Sequence, residues 1–196
     1  MIKPLLIVVL ALLPVCSLAA EGKEKFKLVE HDYSCRVFYG DSFGVMLNPP
    51  KGWVGDCKYG YSDDIPIRFY PEGTDWGNAA SSIYVIQAER LGDSIEKFIN
   101  GDIDNFKQNH EDPIIKDGDK IPLSKKNSKT GASQFAYVKK FQGSSPEVYE
   151  DVAYIEEPEG FVVITHTAYD QKSLDDSNDV FRQIVESYLP IPKVKK

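Results

Sequence analysis

The apolar positions of this chain fall into two rhythms, and the rhythm assigns the elements. Between Asp93 and His110, residues Ile95, Phe98, Ile99, Ile103 and Phe106 recur at i, i+3, i+4, i+8 and i+11. That is the stripe a 3.6-residue helix lays on a core. Ser173–Leu189 repeats it with Leu174, Phe181, Ile184, Val185, Tyr188 and Leu189. Asp93 and Glu96 have capping-box spacing, Ser173 has N-cap chemistry, and Pro113 and Pro190 stand where helices stop. Elsewhere the pattern predicts strands at Cys35–Tyr39, Phe43–Leu47, Ile65–Tyr70, Ser82–Ala88, Ser133–Phe141, Val148–Glu156 and Phe161–Tyr169. The last three are joined by short connections, so they are antiparallel hairpins, because a parallel return needs a crossover of about a dozen residues. Strands, helix, strands, helix is an α+β order, with amphipathic helices laid on a central antiparallel sheet.

The first twenty residues break this pattern. Lys3 precedes an unbroken apolar run, Leu5–Leu13, and small residues follow at Ser17, Ala19 and Ala20. This is the layout of a cleaved secretory signal, with cleavage expected at Ala19 or Ala20. The run is shorter than the roughly 20 residues that a membrane-spanning helix needs. Cys16 suggests lipidation instead, but Val15 stands where that peptidase wants a small residue. The organisation expected is a signal at 1–20, one domain at 21–192 and a basic tail at 193–196, with Ile191 onward frayed. The expected location is the periplasm, with no membrane span after the signal is removed.

Composition narrows the functions. The 196 residues carry 23 basic and 30 acidic side chains, a formal charge of −7. An acidic domain lacks the basic face that nucleic acid requires. Without the signal, Cys35 and Cys57 are the two remaining cysteines, and an even count in an oxidising compartment reads as a disulfide. A bridge of that span stabilises a fold by roughly 3 kcal/mol in the chain-entropy picture.

The segment Phe43-Gly44-Val45-Met46-Leu47-Asn48-Pro49-Pro50-Lys51-Gly52-Trp53 resembles the opening of PsbP-like domains, a superfamily that includes the periplasmic DcrB group. There, a hydrophobic strand runs into P-x-G-W. The later Ile67-Arg68-Phe69-Tyr70-Pro71, the strand Ile83–Gln87 and the helix begun by Ser94-Ile95-Glu96 follow that family's element order, over about residues 33–190. The resemblance implies an α/β/α sandwich used as a binding or assembly module. It transfers no functional residue, and nothing else in the chain suggests a photosynthetic setting.

Chemistry is sparse. His31, His110 and His166 form no H-x-H, H-E-x-x-H or other familiar pattern. Alternation in Phe161–Tyr169 puts His166 beside Val162, Ile164 and Ala168, as a sheet histidine. His110 falls at a helix C-terminus, where a positive imidazolium suits the backbone dipole. Of the carboxylates Asp102, Asp104, Glu156, Glu157, Asp175 and Asp176, most read as solvated groups of helix faces or turns. Asp63-Asp64 and Asp117-Gly118-Asp119 lack the ligand spacing of a calcium loop. No cofactor or metal is expected. Residues 53–76, by contrast, hold Trp53, Tyr59, Tyr61, Phe69, Tyr70 and Trp76. Trp53 and Phe69 suit a core, whereas Tyr59, Tyr61 and Trp76 are candidate partner-binding residues, since loops carrying Trp and Tyr make binding surfaces. The function expected is a non-enzymatic exported module for a protein partner. The alternatives are an immunity protein neutralising a periplasmic toxin and a hydrolase built around His166.

Overall fold

A computed structural model describes residues 36–39, 43–57, 65–123, 135–145 and 147–192, with the backbone alone at 39, 43 and 192. Cys35, Tyr59, Tyr61, His31, the Asp63-Asp64 pair, the signal at 1–20 and the tail at 193–196 lie outside these residues.

Two antiparallel sheets carry the chain. Strands β3 (Trp53–Asp56), β4 (Ile67–Pro71), β5 (Ser81–Glu89), β10 (Gly160–Ala168), β9 (Val148–Glu157), β8 (Phe135–Ser144) and β6 (Glu111–Asp117) lie in that spatial order, and β7 (Ile121–Pro122) also pairs with β8. A three-stranded sheet is ordered β1 (Val37–Tyr39), β2 (Phe43–Met46), β11 (Leu189–Pro192). The hairpins expected at the end of the chain are present: β8 pairs with β9 and β9 with β10, all antiparallel.

Side-chain alternation along β10 divides the molecule into two cores. Val162 and Ile164 join one cluster with Phe181, Ile184, Val185 and Tyr188 of helix α2 (Gln171–Glu186) and its exit, and with Phe38, Val45 and Leu47 of the small sheet. Phe161 and Val163 join the other, with Ile95, Ile99 and Phe106 of helix α1 (Ile95–Asn109). The expected sandwich is therefore modified on one side, where α2 shares its layer with the three-stranded sheet. Burying each large apolar side chain of these stripes contributes about 1.5–3 kcal/mol. None of the described helices is long and apolar enough to cross a membrane.

Several boundaries differ from the sequence reading, each for a local reason. Ser94, not Asp93, caps α1, its hydroxyl accepting from the Lys97 N–H at 3.2 Å. Asp170, not Ser173, caps α2. Its carboxylate accepts from both the N–H (2.8 Å) and the hydroxyl (2.9 Å) of Ser173. Strands β3, β6, β7 and β11 were not expected. In β6 only Ile114 and Ile115 interrupt charged and proline positions, and the strand is a sheet edge. Residues 191–192, read as frayed, belong to β11. There Pro190 and Pro192 are tolerated because the strand lies at an edge of its sheet.

Two glycines are required by geometry. Pro50 accepts the Trp53 N–H at 3.2 Å, and Gly52 lies at φ +88°, so the P-x-G-W motif is a type II turn leading into β3. At Gly160 a Cβ would sit 2.3 Å from the Ala88 carbonyl oxygen across the β5–β10 pair. Gly160→Ala is expected to cost about 1–3 kcal/mol, read as a lowered urea midpoint at constant slope. An unchanged midpoint would show that the two strands separate freely there.

Candidate functional site

The face of the large sheet that bears α1 carries a polar band, and strand register builds it. Arg68 in β4 lies opposite Tyr84 in β5, Tyr84 opposite Thr165 in β10, and Thr165 opposite Val152 in β9. In the next row, Thr167 faces Glu150 and Glu150 faces Phe141 of β8. Above the Arg68–Tyr84 end sits Trp76, from the β4–β5 connection. Its turn is tied by Asp75, whose carboxylate accepts from the Gly77 N–H and the Asn78 amide, both at 2.8 Å. The Trp76 ring meets Tyr84 edge-on, centroids 5.9 Å apart, and the Arg68 guanidinium lies 4.7 Å from the ring centre. Trp76 is half-buried and belongs to neither core cluster.

At the other end of the band, α1 lowers Asp102 onto the sheet, and the Tyr154 hydroxyl donates to its carboxylate. Glu150 feels the Asp102 charge and is hydrogen-bonded by Thr167. Burial, and then Asp102, push Glu150 up to about 7. Burial raises Asp102 against the opposing Tyr154 bond. Tyr84 and Tyr154 are both raised by burial first, then by the carboxylates facing them. Among the described residues, no ion pair involves either Asp102 or Glu150.

Asp102 therefore corrects the sequence reading of a solvated carboxylate. The signal was available, since Asp102 lies three residues past Ile99 and four before Phe106, inside the apolar stripe. Glu157 is a second correction. It is buried on the α2 face, accepts from the Tyr188 hydroxyl at 2.9 Å and is raised by that burial. The expectation of solvated groups describes the others better: Asp104 pairs with Lys107, Asp176 with Lys172 and Glu156 with Arg90, and Asp175 accepts from Gln171.

His166 lies in the α2 core, 0% exposed, stacked on Phe181 with centroids 5.4 Å apart. Its Nε2 is 2.8 Å from Ser177 Oγ and 3.1 Å from Ser81 Oγ, and the two hydroxyl oxygens are 2.6 Å apart. Ser177 also donates to the Ser173 carbonyl at 2.6 Å. Only one arrangement of protons fills every contact: Ser177 donates to Ser173, Ser81 donates to Ser177, and Nε2 carries a hydrogen and donates to the serines. In that tautomer the imidazole offers Ser177 no lone pair, so it is not placed as that hydroxyl's base. His110 is the C-cap of α1, its ring stacked on Phe106 at 4.3 Å. Among the described residues, no three His, Cys, Asp or Glu side chains converge on a metal position, and Asp117 pairs instead with Lys139.

Of the candidate partner-binding residues, Trp76 alone is described. Trp53 and Phe69 pack in or on the α2-side core, as expected of them. Cys57 is buried and engaged, whereas Cys35 is not described.

No family model matches the chain, and no curated protein matches it. Among solved structures it is similar to the solution structure of cyanobacterial PsbP (CyanoP) from Synechocystis sp. PCC 6803. The TM-score is 0.45 at 12% identity, over 90% of this chain and 98% of that one. It is also similar to LpqN of Mycobacterium tuberculosis, involved in cell envelope biogenesis (TM-score 0.45, 16% identity, 86% of this chain and 91% of that one). A third is PA94 of Pseudomonas aeruginosa, a protein of unknown function (TM-score 0.43, 12% identity, 79% and 88%).

The His166 environment generates a pH prediction. Burial holds its folded pKa down to about 3, against an ordinary 6.5. A depressed histidine stabilises the fold at pH above 6.5, and that contribution is lost as pH falls toward 3. Its size is on the order of 5 kcal/mol across that window. His166→Gln is expected to flatten the acid limb of the stability profile measured by urea unfolding from pH 7 to 4. An acid limb as steep as the parent's would contradict the buried neutral imidazole.

Proposed function

We propose that the chain is an exported, non-enzymatic binding and assembly module that engages a protein partner in the periplasm, with Trp76 at the contact surface. The observation that carries this reading is the placement of Trp76: a large aromatic ring outside both cores, half-exposed, and held by a tied turn, Arg68 and Tyr84. An aromatic fixed before binding loses little freedom on association, and that makes Trp and Tyr the usual anchors of interfaces. Tyr59 and Tyr61, in the connection preceding β4, extend the proposed surface. The acidic charge of the chain favours a partner with a basic face, since complementary fields speed encounter. The tautomer of His166 supports the non-enzymatic side of the reading, because it faces the serines as a donor. Export follows from the signal pattern at 1–20, with cleavage at Ala19 or Ala20. Completing the proposal, a Cys35–Cys57 bridge ties the chain ahead of β1 to the end of β3.

Affinity capture from an envelope extract, with the mature domain as bait, tests the surface. Trp76→Ala, with its circular dichroism unchanged, is expected to recover at least about tenfold less of the species bound by the parent, as for an interface hot spot. Equal recovery with Trp76→Ala and with Tyr59→Ala plus Tyr61→Ala would refute the proposed surface. Peptide mapping without reductant is expected to show Cys35 joined to Cys57. Free thiols at both positions would remove the bridge and weaken the case for export.

A further inference from the structure

Helix α1 is held to the sheet by apolar contacts along one stripe, and Asp102 lies in the middle of that stripe. Beneath it, Glu150 and Tyr154 occupy the same face of β9, four residues apart, with Glu150 opposite Phe141, on which Phe106 of α1 rests. Every neighbouring element contributes identifiable groups. Tyr84 comes from β5, and Arg68 from β4, its guanidinium over Trp76. Thr165 and Thr167 come from β10. Lys139 of β8 is paired with Asp117 of β6. Along α1 itself, Lys97 is paired with Asp93 and Lys107 with Asp104, while His110 lies over Phe106. Two carboxylates thus share the helix–sheet interface, and the cations of these elements that form ion pairs do so elsewhere. The phenol of Tyr154 and the hydroxyl of Thr167 are the donors that reach them. One negative charge is accommodated by such donors. A second, within electrostatic reach of the first and partly out of water, is opposed by both burial and repulsion.

We propose that the Asp102–Glu150 pair is a proton-dependent latch: α1 docks fully on the sheet while at least one of the two carboxyls is protonated, and ionisation of both loosens it. The sign follows from the raised carboxyl pKa values. A group whose folded pKa lies above its unfolded value stabilises below the unfolded pKa, and that contribution is lost as pH rises through the folded one. With Glu150 near 7 against an ordinary 4.5, the window runs from about pH 4.5 to 7. The loosening is confined to the α1 side, because α2 packs on the opposite face with a separate core. The device is independent of any partner and does not rest on the binding surface proposed above.

Amide hydrogen exchange of the full chain, corrected for the intrinsic pH dependence of exchange, tests the latch. Between pH 5 and pH 8 the parent is expected to lose at least tenfold in protection over the second half of α1, while α2, which covers the His166 imidazole, does not lose protection. Glu150→Gln and Asp102→Asn, examined separately, are each expected to abolish that difference. Loss of protection in α1 and α2 together, no loss in either, or a parent-like response in both folded variants would overturn the proposal. Should one variant fail to fold, the other and the parent profile still decide it.

Discussion

The physical constraint on which this fold rests is the burial of the β9–β10 hairpin on both faces. Phe161, Val163, Val152 and Tyr154 face α1, whereas Val162, Ile164, Ala153 and Ile155 face α2 and the small sheet. A hairpin covered on both sides has little solvent face on which to place its polar residues. Glu150, Asp151, Glu157, Thr165 and His166 are therefore drawn into interfaces wherever alternation puts them, and each must find a partner there. Asp151 accepts from Lys140 at 3.0 Å, Glu157 from Tyr188, and His166 meets two serines. The unusual protonation of the molecule follows from its layering.

The two sides resolve this constraint differently. On the α2 side the polar groups are locked: the imidazole is neutral, Ser177 is tied to the α2 backbone and Ser81 to Ser177, and Phe181 covers the ring. On the α1 side the carboxylates meet donors and one another but form no ion pair among the described residues. The two sides therefore answer pH in opposite directions: the neutral imidazole stabilises above pH 6.5 and loses that contribution as pH falls, whereas Glu150 stabilises while protonated and loses that contribution as pH rises through about 7. As pH rises toward neutrality, it is the α1 side that loosens. Trp76 lies over that side, at the end of the same band.

Much of this architecture is legible in the chain. The stripes of α1 and α2 locate both helices to within a few residues, and the three terminal hairpin strands follow from alternation and short turns. The P-x-G-W turn is readable because only glycine adopts its backbone angle cheaply. Edge strands escaped. In β6, charges and Pro113 hide a strand whose ladder is made on one side only. In β11, prolines that would forbid a central strand are acceptable at an edge. The polar band was half-legible: Asp102 interrupts an apolar stripe, but Glu150, Thr165 and Thr167 become neighbours only through register, which single-strand patterns do not supply. His166 was placed on the correct face, while its serines, 85 and 11 residues away, came from tertiary contacts.

The most direct test of this account is the titration of the Glu150 carboxyl itself, followed by carbon-detected magnetic resonance of the labelled side chain. Enclosure between helix and sheet, with Asp102 nearby, predicts a midpoint near 7. A midpoint at the ordinary 4.5 would mean that water or a cation reaches the interface, and that the hairpin is not enclosed on its α1 side.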